Sequence, residues 1–284
     1  CRLPSSWRRV AKGGRELWLQ ASYNPVIDLF RAWRLRWSPV AVLLLALPVL
    51  ALGGTASAEG NAALDSALAE LGSSDRNQVI EAIGELAGLG VPVLSDEVYD
   101  GLVFDGTTTT SPLGMTDDCF VFDGFSKRYA MTGFRLGYVI APRRAMRALV
   151  SLQQNLFISA AHFVQTVGLA ALEHGEAHRQ MMVAEYKRRR RVLVNGVRSV
   201  GLSVPVTPTG AFYVLADARH LGGDSLGLAF ELLERAHVAL GPGRDFGEIA
   251  EGFLRFSYAS AYDDIVRAVE RLRAVVPAIA ARRT

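Results

Sequence analysis

Residues 123–137 read Asp-Gly-Phe-Ser-Lys-Arg-Tyr-Ala-Met-Thr-Gly-Phe-Arg-Leu-Gly, and the rest of the chain is organised around them. Lys127 sits in a short run of small and polar residues, with Arg135 eight positions on. Upstream, residues 91–100 read Val-Pro-Val-Leu-Ser-Asp-Glu-Val-Tyr-Asp. There an apolar run typical of buried parallel strands ends in an acid, Asp96, followed three residues later by a phenol, Tyr99. An amphipathic helix, a short loop and then a strand with polar groups at its carboxyl end is the order in which α/β sheets present ligand-binding residues.

An amine, a carboxylate, a phenol and a guanidinium are the groups that pyridoxal phosphate chemistry requires of a protein. The stretch around Lys127 resembles the lysine signature of class I/II aminotransferases, the fold-type I pyridoxal phosphate enzymes. Gly124 to Lys127 match it, as do Gly133, Arg135 and Gly137 at the following offsets. Gly210 to Tyr213 (Gly-Ala-Phe-Tyr) and Phe253 to Tyr258 (Phe-Leu-Arg-Phe-Ser-Tyr) extend the match. The resemblance covers roughly residues 78–276. It implies an α/β fold, with a partial, mostly parallel large-domain sheet and a smaller C-terminal α/β domain.

The same resemblance implies roles. Lys127 would be the catalytic lysine that forms a Schiff base with pyridoxal 5′-phosphate. Asp96 would face the pyridine nitrogen, Tyr99 the ring oxygen and Arg135 the phosphate. Arg255 would bind the α-carboxylate of the substrate. The implied reaction is amino-group transfer between an amino acid and a 2-oxo acid by a homodimer. A lyase, decarboxylase or racemase would use the same lysine-centred motif, which leaves these reactions open.

Each residue also has a plainer reading. Asp96 could cap a helix, Tyr99 could be a half-buried core residue, and Arg135 could be half of a surface ion pair. Arg255 is flanked by Leu254 and Phe256 in a strand-like run. A buried, unpaired arginine is costly, so carboxylate binding is the economical explanation, with an internal salt bridge as the alternative. Arg128 and Arg135 are expected to act as cationic neighbours that lower the proton affinity of the Lys127 amine.

Composition narrows the remaining classes. Two cysteines, Cys1 and Cys119, make no disulfide framework and no metal-ligand spacing, which points to a reducing compartment and a cytoplasmic protein. The net charge of +3 is unevenly divided. Residues 1–37 hold eight Lys or Arg, two acids (Glu16, Asp28) and all four tryptophans. The other 247 residues hold 23 basic and 26 acidic groups. No groove-binding motif accompanies the basic segment, and the Arg188–Arg191 run reads as a solvated helix face, so no nucleic-acid partner is expected.

The chain opens with Cys1, which suggests a fragment or processed product. Residues 37–58 contain no charge and follow Arg31, Arg34 and Arg36. Three readings stand: foreign sequence joined to an enzyme, a signal or membrane anchor, and a buried helix. The second would make the protein exported or membrane-associated, and would allow a non-catalytic, membrane-tethered remnant.

Helices are expected over 61–71, 77–88, 144–153, 159–174, 177–199, 225–237 and 262–276. Strands are expected at Val91–Leu94, Cys119–Phe122, Leu136–Ala141, Ser203–Val206, Ala211–Leu215 and Phe253–Ser257. The chain divides into an unmatched segment (1–60), a remnant of the large cofactor-binding domain (61–157), and interdomain helices with a small C-terminal domain (158–284). The family's amino-terminal elements, including its ring-stacking aromatic and Asn-Pro-x-Gly motif, are not identifiable. The lysine half of the site is therefore expected without its stacking half.

Overall fold

Alternation of amphipathic helices with short apolar runs commits the chain to an α/β fold, and the computed structural model has that form. It describes residues 8–12, 15–19, 41–43, 66–67 and 76–283. Two compact units emerge. The first takes residues 76–101 and 108–179 with the short strands that precede them, and the second takes 102–107 and 180–283.

In the first unit, β1 (Arg8–Lys12) and β2 (Arg15–Leu19) form an antiparallel hairpin. A four-stranded sheet follows, in the order β3 (Ala41–Leu43), β4 (Val93–Asp96), β5 (Cys119–Gly124) and β6 (Gly137–Ile140). The β4–β5 ladder is parallel, as expected, with Asp96 opposite Phe122. The β3–β4 and β5–β6 ladders are antiparallel, so the described sheet is mixed rather than mostly parallel. The reason at β5–β6 is local. The chain returns through residues 125–136 with two single turns and no crossover helix, and such a connection delivers an antiparallel neighbour.

Helix α1 (Arg76–Gly88) buries Val79, Ala82, Ile83 and Leu86 against Val93 and Cys119. Its stop was legible in the glycines. Gly90 has φ +69°, and the amides of Gly90 and Val91 donate to the carbonyls of Ala87 and Leu86, the paired bonds of a Schellman turn. The second cluster of this unit joins Phe125, Met131, Leu136 and Tyr138 to Ala160 and Val164, which lie at the start of α4 (His162–His174). α2 is the single turn Phe125–Arg128, and α3 spans Met146–Leu156.

α5 (Glu176–Ser199) supplies most of its length to the second unit. There β7 (Tyr213–Asp217), β9 (Phe253–Ser257) and the two-residue β8 (Gly241–Pro242) form an antiparallel sheet with β9 in the centre. Helices α6 (Ser225–Ala236) and α7 (Tyr262–Arg283) complete it. Asp224 caps α6 by accepting the Gly227 amide at 2.9 Å. The expected strand at Ser203–Val206 is reduced to one bridge between Ser203 and Asp217. Pro205 has no amide to donate, and Val206 is exposed.

The apolar run at 37–58 and the helix at 61–71 lie outside the described residues, apart from the strand Ala41–Leu43 and two helical residues, 66–67. Among the described residues, no helix is long and apolar enough to cross a membrane.

Gly196 on α5 lies against α7, because a Cβ there would collide with the Val269 side chain. Val269 is β-branched and has little rotamer freedom with which to yield. Gly196→Val is expected to lower stability by about 1–3 kcal/mol. Gly84→Ala, on an open face of α1, should instead be neutral or raise stability by up to about 1 kcal/mol. Urea midpoints of the two variants check this.

Candidate functional site

Residues drawn from β4, β5 and β6 converge at one end of the first sheet. Asp96 ends β4, and Tyr99 lies in the turn that follows. β5 ends at Gly124 and passes directly into α2, which carries Lys127. Arg135 precedes β6 in the left-handed region, φ +52°. The register that places Gly124 opposite Gly137 brings the lysine turn and the arginine turn to the same edge. A side chain at Gly124 would press on the Leu136 carbonyl oxygen at 3.1 Å, which keeps the two strands close at this point.

The structure brings Lys127 and Tyr99 together, with the amine nitrogen 6.0 Å from the centroid of the phenol ring. Arg135 is exposed and donates to the Thr132 carbonyl at 3.0 Å. Asp96 accepts the Val98 amide at 3.2 Å, a local turn bond. Its carboxylate reaches solvent yet is closely surrounded by protein. This desolvation, aided by the negative charge of Asp123, raises its pKa against the opposing Val98 bond. Glu97 is raised too, chiefly by burial, with Asp100 and Asp123 adding to it. Arg255 lies on β9 in the second unit.

One group of the site was not found by sequence reasoning. Arg128, beside Lys127, donates to Asp100 at 2.6 Å and to Asp123 at 3.0 Å. Asp123 also accepts from the Tyr138 hydroxyl at 2.7 Å and the Gly124 amide at 2.6 Å, and Thr109 donates to Asp100. The arginine side chain is 13% exposed and that of Asp123 4%. Burial opposes the charge on Arg128, but the two carboxylates hold its pKa above the ordinary value. Burial first, and Asp123 second, raise that of Tyr138. Gly101 makes room for this arrangement, since a Cβ there would meet Arg128 Cγ at 2.5 Å. The charge of Arg128 is thus matched by two acids. The signal available beforehand was the pair of acids, Asp100 in the turn after β4 and Asp123 near the end of β5.

Two outcomes follow from these electrostatics. Arg128→Met leaves Asp123 buried without its cation and is expected to cost about 3–5 kcal/mol, measured by urea unfolding. For Asp96 the sign is opposite. A carboxyl group whose pKa is higher folded than unfolded favours the fold below its unfolded value, about 4, and loses that contribution as pH rises through the folded value. Asp96→Asn is therefore expected to unfold at higher urea than the parent at pH 7, with the gap closing below about pH 4. Equal midpoints at pH 7 would refute it.

Comparison with known proteins places this geometry. Residues 71–272 match the family model described as aminotransferase class I and II. A (5-formylfuran-3-yl)methyl phosphate transaminase of Methanocaldococcus jannaschii is 38% identical over 208 residues, covering 71% of this chain and 55% of the relative. An aspartate/prephenate aminotransferase of Thermus thermophilus is 35% identical over 203 residues, covering 70% and 52%. The crystal structure of an aromatic aminotransferase from Pyrococcus horikoshii superposes with a TM-score of 0.68 at 32% identity, covering 72% of this chain and 56% of that one. The chain thus spans about half the length of the curated relatives it matches. The lysine motif, the mixed sheet that carries it and these similarities agree: the chain belongs to the class I and II aminotransferase family, and its α/β fold is that of the fold-type I enzymes.

Proposed function

We propose that the whole protein transfers amino groups between an amino acid and a 2-oxo acid with pyridoxal 5′-phosphate, and that residues 61–157 carry the cofactor half of that site. The observation that supports this most directly is the approach of Lys127 to Tyr99 at the sheet edge where Asp96 ends its strand. The donor set fits the group. Asp96 shares its surroundings with Asp123, and such a negative environment favours a cationic ring nitrogen. Arg135 offers a planar fork suited to a phosphate. Lysine is scarce in this chain, with Lys12, Lys127 and Lys187 alone. Lys187 is held by Asp105 at 2.8 Å.

When bound, the cofactor supplies an electron sink that acidifies the Cα–H bond of an amino acid. The chain's own residues then have separate tasks. Lys127 Nζ would hold the cofactor and, once displaced by the substrate's amine, would move a proton at Cα as general base and acid. Asp96 would keep the ring nitrogen protonated, Tyr99 would donate to the ring oxygen, and Arg135 would grip the phosphate. Arg255 binds the substrate carboxylate. A homodimer belongs to the same proposal and is supported by the apolar surface around the end of α3, where Leu156 and Ile158 are 63% and 79% exposed.

Incubating the purified chain with pyridoxal phosphate, reducing with borohydride and mapping peptides by mass tests the reading. One pyridoxyl group on Lys127, absent in Lys127→Ala, is the expected result. Modification of Lys12 or Lys187 instead would overturn the assignment of Lys127, and no adduct on the folded chain would overturn the reading that residues 61–157 suffice to hold the cofactor.

A further inference from the structure

Arg255 is half-buried on the central strand of the second sheet, and its guanidinium carbon lies 4.5 Å from the ring centroids of both Tyr213 and Phe246. The register explains the first contact. Arg255 pairs with Leu215 across β7–β9, so Tyr213, two residues along, shares its face of the sheet. Across β8–β9 it faces Gly241, whose missing side chain leaves the guanidinium uncovered there; a Cβ would stand 3.4 Å from Nε. Phe246 ends the tight turn Gly243–Phe246. That turn needs glycine at both ends. A Cβ on Gly243 would collide with the Ala250 carbonyl oxygen, and Gly247 has φ +102°. Among the described residues Arg255 has no carboxylate partner; what the structure gives it is two aromatic faces.

This combination is chemically specific. A guanidinium is weakly hydrated and stacks on aromatic faces, while its planar N–H fork matches a carboxylate. An acid in place would occupy that fork, whereas rings hold the group without using its N–H donors. We infer that Tyr213 and Phe246 are positioning residues that set the guanidinium of Arg255 by stacking, leaving its N–H edge to a carboxylate ligand. The inference rests on the reading of Arg255 as the substrate-carboxylate group.

The test is nuclear magnetic resonance of the Arg255 Nε–Hε group in the full chain, assigned with Arg255→Lys. Two ring faces should move Hε upfield of exposed arginines in the unmodified protein. Propionate should perturb it, and the neutral isostere propionamide should not. Phe246→Leu and Tyr213→Leu should each weaken propionate binding about two- to fivefold, while Tyr213→Phe retains it. Unweakened binding in both leucine variants would overturn the positioning role and leave the carboxylate reading standing. A propionate-insensitive Arg255 would overturn both. If the leucine variants fail to fold, an unshifted Hε in the unmodified protein still refutes the stacking.

Discussion

The ion cluster of Asp100, Arg128 and Asp123 is the constraint on which the first unit turns. Carboxylates near the end of β5 and in the turn after β4 gather like charges at one sheet edge, and like charges in a poorly hydrated place repel strongly. A single guanidinium reaching both acids makes the arrangement tolerable. Because Arg128 follows Lys127 directly and shares its one-turn helix, the interaction that relieves the repulsion also fixes the backbone of the lysine. Tyr138 on β6 adds a third strand to the same knot through its bond to Asp123.

Much of this was readable from the sequence, for reasons that differ by residue. Lys127, Asp96 and Tyr99 were candidates because each sits in a contiguous motif, and the structure places Lys127 near Tyr99. Helices α1, α4, α5 and α6 were readable from their apolar period, and the end of α1 from glycine. The Arg128 cluster was hidden because one of its bonds spans twenty-eight positions and needs β4 and β5 to pair before it exists. The short strand at Ser203–Val206 failed for want of a single amide at Pro205. The hairpin β1–β2 went unread, although Gly13 and Gly14 separate Lys12 from Arg15 in the sequence, a familiar hairpin signal.

The two candidate binding groups share a physical character. Asp96 is a carboxylate whose surroundings disfavour its charge, and Arg255 is a guanidinium held by rings rather than by an acid. Other charges of the described residues are matched by an opposite one, among them Arg190 by Asp105, Arg189 by Glu185 and Arg235 by Glu231. Groups left in such surroundings contribute less to stability than matched pairs do, the trade-off expected where binding and stability compete.

The antiparallel return of β5 into β6 carries a kinetic meaning. Its twelve-residue connection, 125–136, closes a short loop, and loop closure is cheapest when contacts are local. The parallel partner β4 reaches β5 only across residues 97–118. Local pairings form ahead of distant ones when chains fold, so the turn bearing Lys127 belongs to the part of the sheet able to organise first. The loop carrying Lys127 is in that sense a folding nucleus candidate, pinned first by its return into β6 and later by the distant Asp100.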